Sequence, residues 1–131
     1  MKTVHHPGLS EEKWRLLQPD KRFLNLISEL VRGRNLLERG DSENGLRSIE
    51  RALELADLTI TVCLHEMSRG GLRELLRFRE VLAGIYAALT EPETAHEKSP
   101  LGHGRPQEML RKLIPVVASL HAPVANMALT F

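Results

Sequence analysis

From Leu46 to Leu89 the apolar residues of this chain recur at spacings of three and four, the longest regular pattern the sequence holds. Leu46, Ile49, Leu53, Ala56, Ile60, Leu64 and Met67 make one row, and Ala52, Leu55, Thr59 and Val62 make a second beside it. Positions so spaced share one face of a helix. Gly70 and Gly71 break the run, and Leu72, Leu75, Leu76, Leu82, Ile85 and Leu89 resume it, with Phe78 and Val81 widening the stripe. The pattern predicts a helical hairpin hinged at the glycine pair. Apolar stripes this wide need covering by further helices, so the hairpin is expected to be half of an all-α, antiparallel four-helix bundle.

Composition agrees. A chain of 131 residues, with 42% hydrophobic and 27% charged residues, has the length and content of one folded domain. A domain of that length buries roughly two thirds of the surface its unfolded chain exposes. Few aromatics (4%) and many Leu, Ala, Glu and Arg favour helix. A net charge of +1 argues against a surface made to wrap nucleic acid. Cys63 is the one cysteine, which rules out an internal disulfide, and inside an apolar row it reads as a small buried hydrophobe. No apolar run approaches the ~20 residues of a membrane span, and residues 1–10 lack a signal-peptide core, so a cytoplasmic protein is expected.

The remaining segments fill out the bundle. Residues 1–9 read as a flexible arm, and Ser10 as the cap of a short extra N-terminal helix packed down by Trp14, Leu16 and Leu17. Pro19 interrupts, and Asp20 is expected to cap a second helix, over Lys21 to Arg39. Phe23, Leu24, Ile27, Leu30, Val31 and Leu37 form its buried side, with Leu26 and Leu36 off the stripe. Gly40 suits the left-handed residue that ends it, and Asp41 or Ser42 caps the next helix. Leu58 to Leu64 alternates β-branched residues like a strand, yet the three-four spacing runs through it unbroken and predicts helix. Residues 90–106 carry no periodicity and read as a long loop. Pro106 opens a last helix with Met109, Leu110, Leu113, Ile114, Val117 and Leu120 inward, and Pro115 predicts a kink or restart within it. Residues 122–131 form an apolar tail without helical order.

Chemistry is sparse. His65-Glu66 begins like a zinc-protease helix, but the second imidazole that this chemistry needs would fall at position 69, which is Arg. His5, His6, His96 and His103 lie outside the periodic segments, so no convergent metal set is expected. The carboxylates are scattered along polar faces, and no phosphate-binding glycine loop occurs. Neither a catalytic residue nor a cofactor is therefore expected. His65, near a helix end and ahead of Gly70, bears a loose likeness to the phosphoacceptor of histidine phosphotransfer domains, which are also helical bundles. A helical adaptor or dimerisation module is a further alternative.

The order of a long helix, a turn at Gly40-Asp41, a helix bearing Ile49, Arg51-Ala52-Leu53, Leu55 and Leu64, the Gly70-Gly71 break and a leucine-rich helix with Tyr86 resembles the FliS family of flagellin export chaperones. The likeness covers about residues 19–90 and the final helix over 106–120. It implies a cytoplasmic antiparallel helical bundle that binds the C-terminal segment of flagellin and holds it unpolymerised until export.

A chaperone of that kind needs an apolar groove between helices. The second-row residues Leu55, Leu58 and Val62, facing Phe78, Val81 and Ile85, are the candidates to line it, and Leu58, off the main row of Leu53, Ala56, Ile60 and Leu64, is the leucine least expected in the core. Ordinary burial in the bundle is the competing reading of each, and the same stripe would also serve a homodimer. The expected partner is a protein, with no nucleic acid and no membrane.

Overall fold

The computed structural model describes residues 10–17, 19–64, 67–90 and 106–118. Of these residues 91% are helical and none is in a strand. The helices are α1 (Glu11–Leu16), α2 (Pro19–Glu38), α3 (Ser42–Cys63), α4 (Arg69–Thr90) and α5 (Pro106–Ala118). Residues 58–63, the stretch that could pass for a strand, lie within α3. No described helix is long and apolar enough to cross a membrane.

Local chemistry sets most of the boundaries. Ser10 caps α1, its hydroxyl accepting from the Lys13 N–H at 3.2 Å, and Asp41 caps α3 by accepting from Asn44 N–H at 3.3 Å. Gly40 ends α2 at φ 84°, a left-handed conformation that a Cβ would disfavour. Two boundaries differ from expectation. α2 opens at Pro19, so Asp20 lies inside the helix rather than capping it, as suits a proline whose missing N–H is not needed in a first turn. The hinge falls earlier than the glycine pair: α3 ends at Cys63 and α4 begins at Arg69, with Gly70 and Gly71 in its first turn. Ser68 supplies that start, its hydroxyl accepting from Gly71 N–H at 3.1 Å and its carbonyl from Leu72 N–H at 2.9 Å. In α5 the helix runs through Pro115 to Ala118 without a restart. Proline removes one ladder hydrogen bond there, the one Arg111 C=O would otherwise accept.

Packing is cyclic. α2 lies against α3 and α5, α4 lies against the same two helices, and α1 rests on α3. Between α2 and α3, Leu37 meets Gly45, Glu29 meets Arg51 and Arg22 meets Cys63, so numbers fall along one helix as they rise along the other. Between α3 and α4 the same reversal joins Asp57 to Arg79 at 2.9 Å and Glu50 to Tyr86 at 3.2 Å. Arg111 of α5 pairs with Glu38 of α2.

The buried face of α3 is rotated from the expected one. Ala52, Leu55, Thr59 and Val62, the second row, are all buried, while of the main row Ile49 and Ala56 are buried, Leu46, Leu53, Ile60 and Met67 are only half-buried and Leu64 is exposed. Small residues account for the rotation. A Cβ on Gly45 would lie 2.8 Å from the Leu37 side chain, so the lack of a side chain there lets α2 pack close against α3. Leu26 is buried with the core rather than off the stripe. Leu16 does not pack α1 down and is 84% exposed, and Leu76 of α4 is 48% exposed. Each fully buried Leu, Ile or Phe contributes about 1.5–3 kcal/mol, so the shared interior rather than the ion pairs at its rim holds the helices together.

Candidate functional site

A concave feature with an apolar floor begins where α1 meets the body. Trp14 is buried, and its indole N–H donates to Thr59 Oγ1 at 3.0 Å. The Thr59 hydroxyl donates in turn to Leu55 C=O at 2.7 Å, so the one polar atom of the indole is satisfied inside the core. α1 has only six residues, and its C-terminal carbonyls are answered by an arginine. Arg22, 3% exposed, donates to Leu17 C=O at 3.1 Å and to Arg15 C=O at 3.2 Å, with Nη1 3.5 Å from Cys63 Sγ. Arg22 shares a row with Leu26, Leu30, Gly33 and Leu37, at spacings of three and four that put a cation on the buried side of α2.

Beside this anchor lies a cleft of about 390 Å³ lined by Trp14, Leu17, Asn25, Ser28, Glu29, Arg32 and Leu55. Its floor is apolar, from Trp14, Leu17 and Leu55, and its rim is polar, from α2. Glu29 is held in that rim by Arg51 at 3.2 Å and Arg32 at 3.3 Å, and Arg51 also donates to Ser48 Oγ at 3.0 Å. Through Ser28 and Arg32 the cleft continues into a more open one of about 340 Å³ that adds Val31, Asn35 and Arg39. From Asn25 to Arg39, just past its end, the lining residues follow α2 for about 21 Å, at about 1.5 Å per residue.

The residues expected to line a groove sit elsewhere. Leu58 and Ile85 are 0% exposed, and Leu55, Val62 and Phe78 are also buried, while Val81 is half-buried against them. They do come together, but as interior. An open groove between α3 and α4 lined by them is corrected to core, because four helices in cyclic contact close over that face. Leu55 alone among them also reaches the cleft. The expectation that Leu58 stands clear of the core fails for the same reason that the face of α3 rotates.

Other candidates resolve simply. Cys63 is a free, buried thiol. Among the described residues no group of three or more His, Cys, Asp or Glu could hold a metal ion. His65, the phosphoacceptor candidate, lies outside the described residues, as do His5, His6, His96, His103, the 90–106 loop apart from its two end residues, and the apolar tail.

Among the described residues three ionisable groups are displaced from their ordinary values. Hydrogen bonds from the Asn44 side chain and backbone lower the Asp41 carboxyl, and the hydrogen bond to Asp57 raises the Arg79 guanidinium. Burial, then the Glu50 carboxylate, raises the Tyr86 phenol. Each displacement belongs to a cap or an interhelical latch. None of the three lies in the cleft.

Sequence reasoning passed over the α2 rim. Asn25, Ser28, Arg32, Asn35 and Arg39 recur at three-four spacing and are exposed, a polar stripe that hydropathy counts only as solvated surface. No protein-family model, no curated protein and no solved structure matches the chain.

Proposed function

We propose that this chain is a cytoplasmic, non-enzymatic binding protein of the export-chaperone kind, an antiparallel four-helix bundle that holds an apolar segment of a flagellin-like subunit before its assembly. The observation that carries the reading is the trough along α2: elongated, open to solvent, apolar at its floor over Trp14, Leu17 and Leu55 and amide- and hydroxyl-rich at its rim. Such a shape suits an extended or helical peptide, which lays apolar side chains on the floor and finds backbone partners in Asn25, Ser28 and Asn35. Cyclic packing of α2 to α5 and the opposed register of neighbouring helices support the bundle. The resemblance of residues 19–90 to FliS chaperones supports the choice of partner.

Titration of the full chain with a peptide from a flagellin C-terminus, followed by calorimetry, is the direct test. Ser28 is exposed and lines both parts of the trough. Ser28→Trp is therefore expected to leave the melting temperature within about the effect of 0.5 kcal/mol typical of surface changes and to weaken the peptide about tenfold or more by filling the trough. Wild-type protein that fails to bind the peptide removes the chaperone reading; binding unchanged by Ser28→Trp moves the site off α2.

A further inference from the structure

α4 breaks a rule that three other helices of the chain keep. α1, α3 and α5 carry Glu11 and Glu12, Glu43, and Glu108 in their first turns, where a carboxylate faces the positive end of the helix dipole. α4 has no acid in its first turn and opens on Arg69. Arg73 and Arg77 follow at intervals of four residues, and all three are exposed. Like charges at that interval repel, and a cation at a helix N-terminus is disfavoured, so nothing in the stability of α4 calls for this arrangement. Glu74 pairs with Arg77 at 3.6 Å, whereas Arg69 and Arg73 have no ion-pair partner among the described residues.

The ridge is not only basic. At about 100° per residue, Leu76 falls on the same outer face, beside Arg69 and Arg73, and it is 48% exposed. Glu80, also exposed, follows Leu76 by four residues on that face and closes the basic run. Arg79 and Tyr86 turn to α3, where they meet Asp57 and Glu50.

We propose that Arg69, Arg73, Arg77 and Leu76 form a second docking surface, separate from the α2 trough, for an acidic amphipathic helix of another protein. Carboxylates four residues apart on such a helix are spaced by about 6 Å, the same interval that separates the arginines, and an apolar side chain beside them meets Leu76. Glu80 repels a further carboxylate, so the contact spans about two turns. Charge complementarity chooses this occupant over others. The exposed ridge carries no aromatic side chain on which a base could stack, since Phe78 is buried and Tyr86 is engaged with Glu50. A membrane surface needs a broad apolar face, and that of α4, Leu75, Phe78, Leu82 and Ile85, is spent in the core.

The test is fluorescence anisotropy of the full chain with a labelled helical peptide bearing Glu at every fourth position and one flanking Leu row, beside the same peptide with Gln for Glu. The Glu peptide binds and the Gln peptide is about tenfold weaker or worse; higher salt weakens the complex, as rim charges demand. Arg69→Glu with Arg73→Glu lowers affinity about tenfold or more, while the melting temperature stays at or above that of the wild type because the helix dipole is relieved. Should that variant melt lower, Arg73→Gln alone carries the test, with an expected loss of about threefold. Absence of binding to the Glu peptide, affinity indifferent to these substitutions, or tighter binding to a single-stranded oligonucleotide or to vesicles of anionic lipid overturns the proposal.

Discussion

Trp14 and Thr59 are 45 positions apart in sequence and joined by a hydrogen bond of 3.0 Å from indole Nε1 to Oγ1. Through it a helix of six residues, too short to be stable alone, becomes part of the core. The threonine also donates to Leu55 C=O, so it serves two partners from a fully buried position.

Thr59→Val keeps the shape of the side chain and removes both contacts. The buried indole N–H is then unpaired, at a cost of about 1–3 kcal/mol. Urea unfolding is expected to show that loss, with tryptophan emission shifting to the red as α1 loosens. A variant of wild-type stability would mean that water answers the indole.

Leu58→Glu is expected to unfold the protein. Leu58 is 0% exposed, and an unpaired carboxylate there costs more than about 4 kcal/mol, a large share of the stability of an ordinary domain. Leu16→Glu, at an 84% exposed site, should change stability by about 0.5 kcal/mol or less. Thermal melts followed by circular dichroism separate the two, and equal behaviour of the pair would contradict the assigned face of α3.

Gly45→Val tests the close approach of α2 and α3. Its Cβ would stand 2.8 Å from Leu37, and overpacking of this kind costs about 1–3 kcal/mol. Leu37→Ala in the same chain should restore part of the loss, measurable as a non-additive double-mutant cycle.

The Asp41 cap predicts a dependence on pH. Asn44 holds the folded carboxyl below its ordinary value, so the cap contributes stability above the unfolded value of about 3.9, and that contribution is lost as pH falls through the lower folded value. The difference in melting temperature between wild type and Asn44→Ala should therefore be widest near neutrality and shrink below about pH 4. Carboxyl carbon NMR should place the Asp41 midpoint below that of an unstructured aspartate; a midpoint at or above it would contradict the cap.

Much of the fold was legible because it rests on local signals. Ser10, Gly40, Asp41 and Pro106 mark helix ends by chemistry confined to a few residues, and the three-four spacing carries helix through residues 58–63 against their strand-like composition. Which face turns inward was less legible. Apolar bulk points to Leu46, Leu53 and Ile60, but close contact between helices selects Gly45, Ser48, Ala52 and Thr59, whose small size counts for little in hydropathy. The glycine pair misled in a similar way: glycine weakens a helix, yet Ser68 caps α4 ahead of it. The trough was not legible at all, since it is assembled from α1, α2 and Leu55 of α3 and marked in sequence only by polar residues. Buried Arg22 was readable in principle, from its phase with Leu26 and Leu30, had charge been tracked along with apolarity.

The turn at residues 39–41 has a kinetic consequence. It joins α2 to α3 through so little chain that their contacts form at low entropic cost, whereas α5 reaches α2 only across a far greater separation in sequence, as in the pairing of Arg111 with Glu38, 73 positions apart. Order of assembly follows from that difference: α2 and α3 zip together early, and α5 docks onto a surface already made. Native-state hydrogen exchange is expected to run the sequence backwards, with α5 amides exchanging through partial openings that leave α3 protected. Uniform exchange across both helices would mean that the domain opens only as a whole.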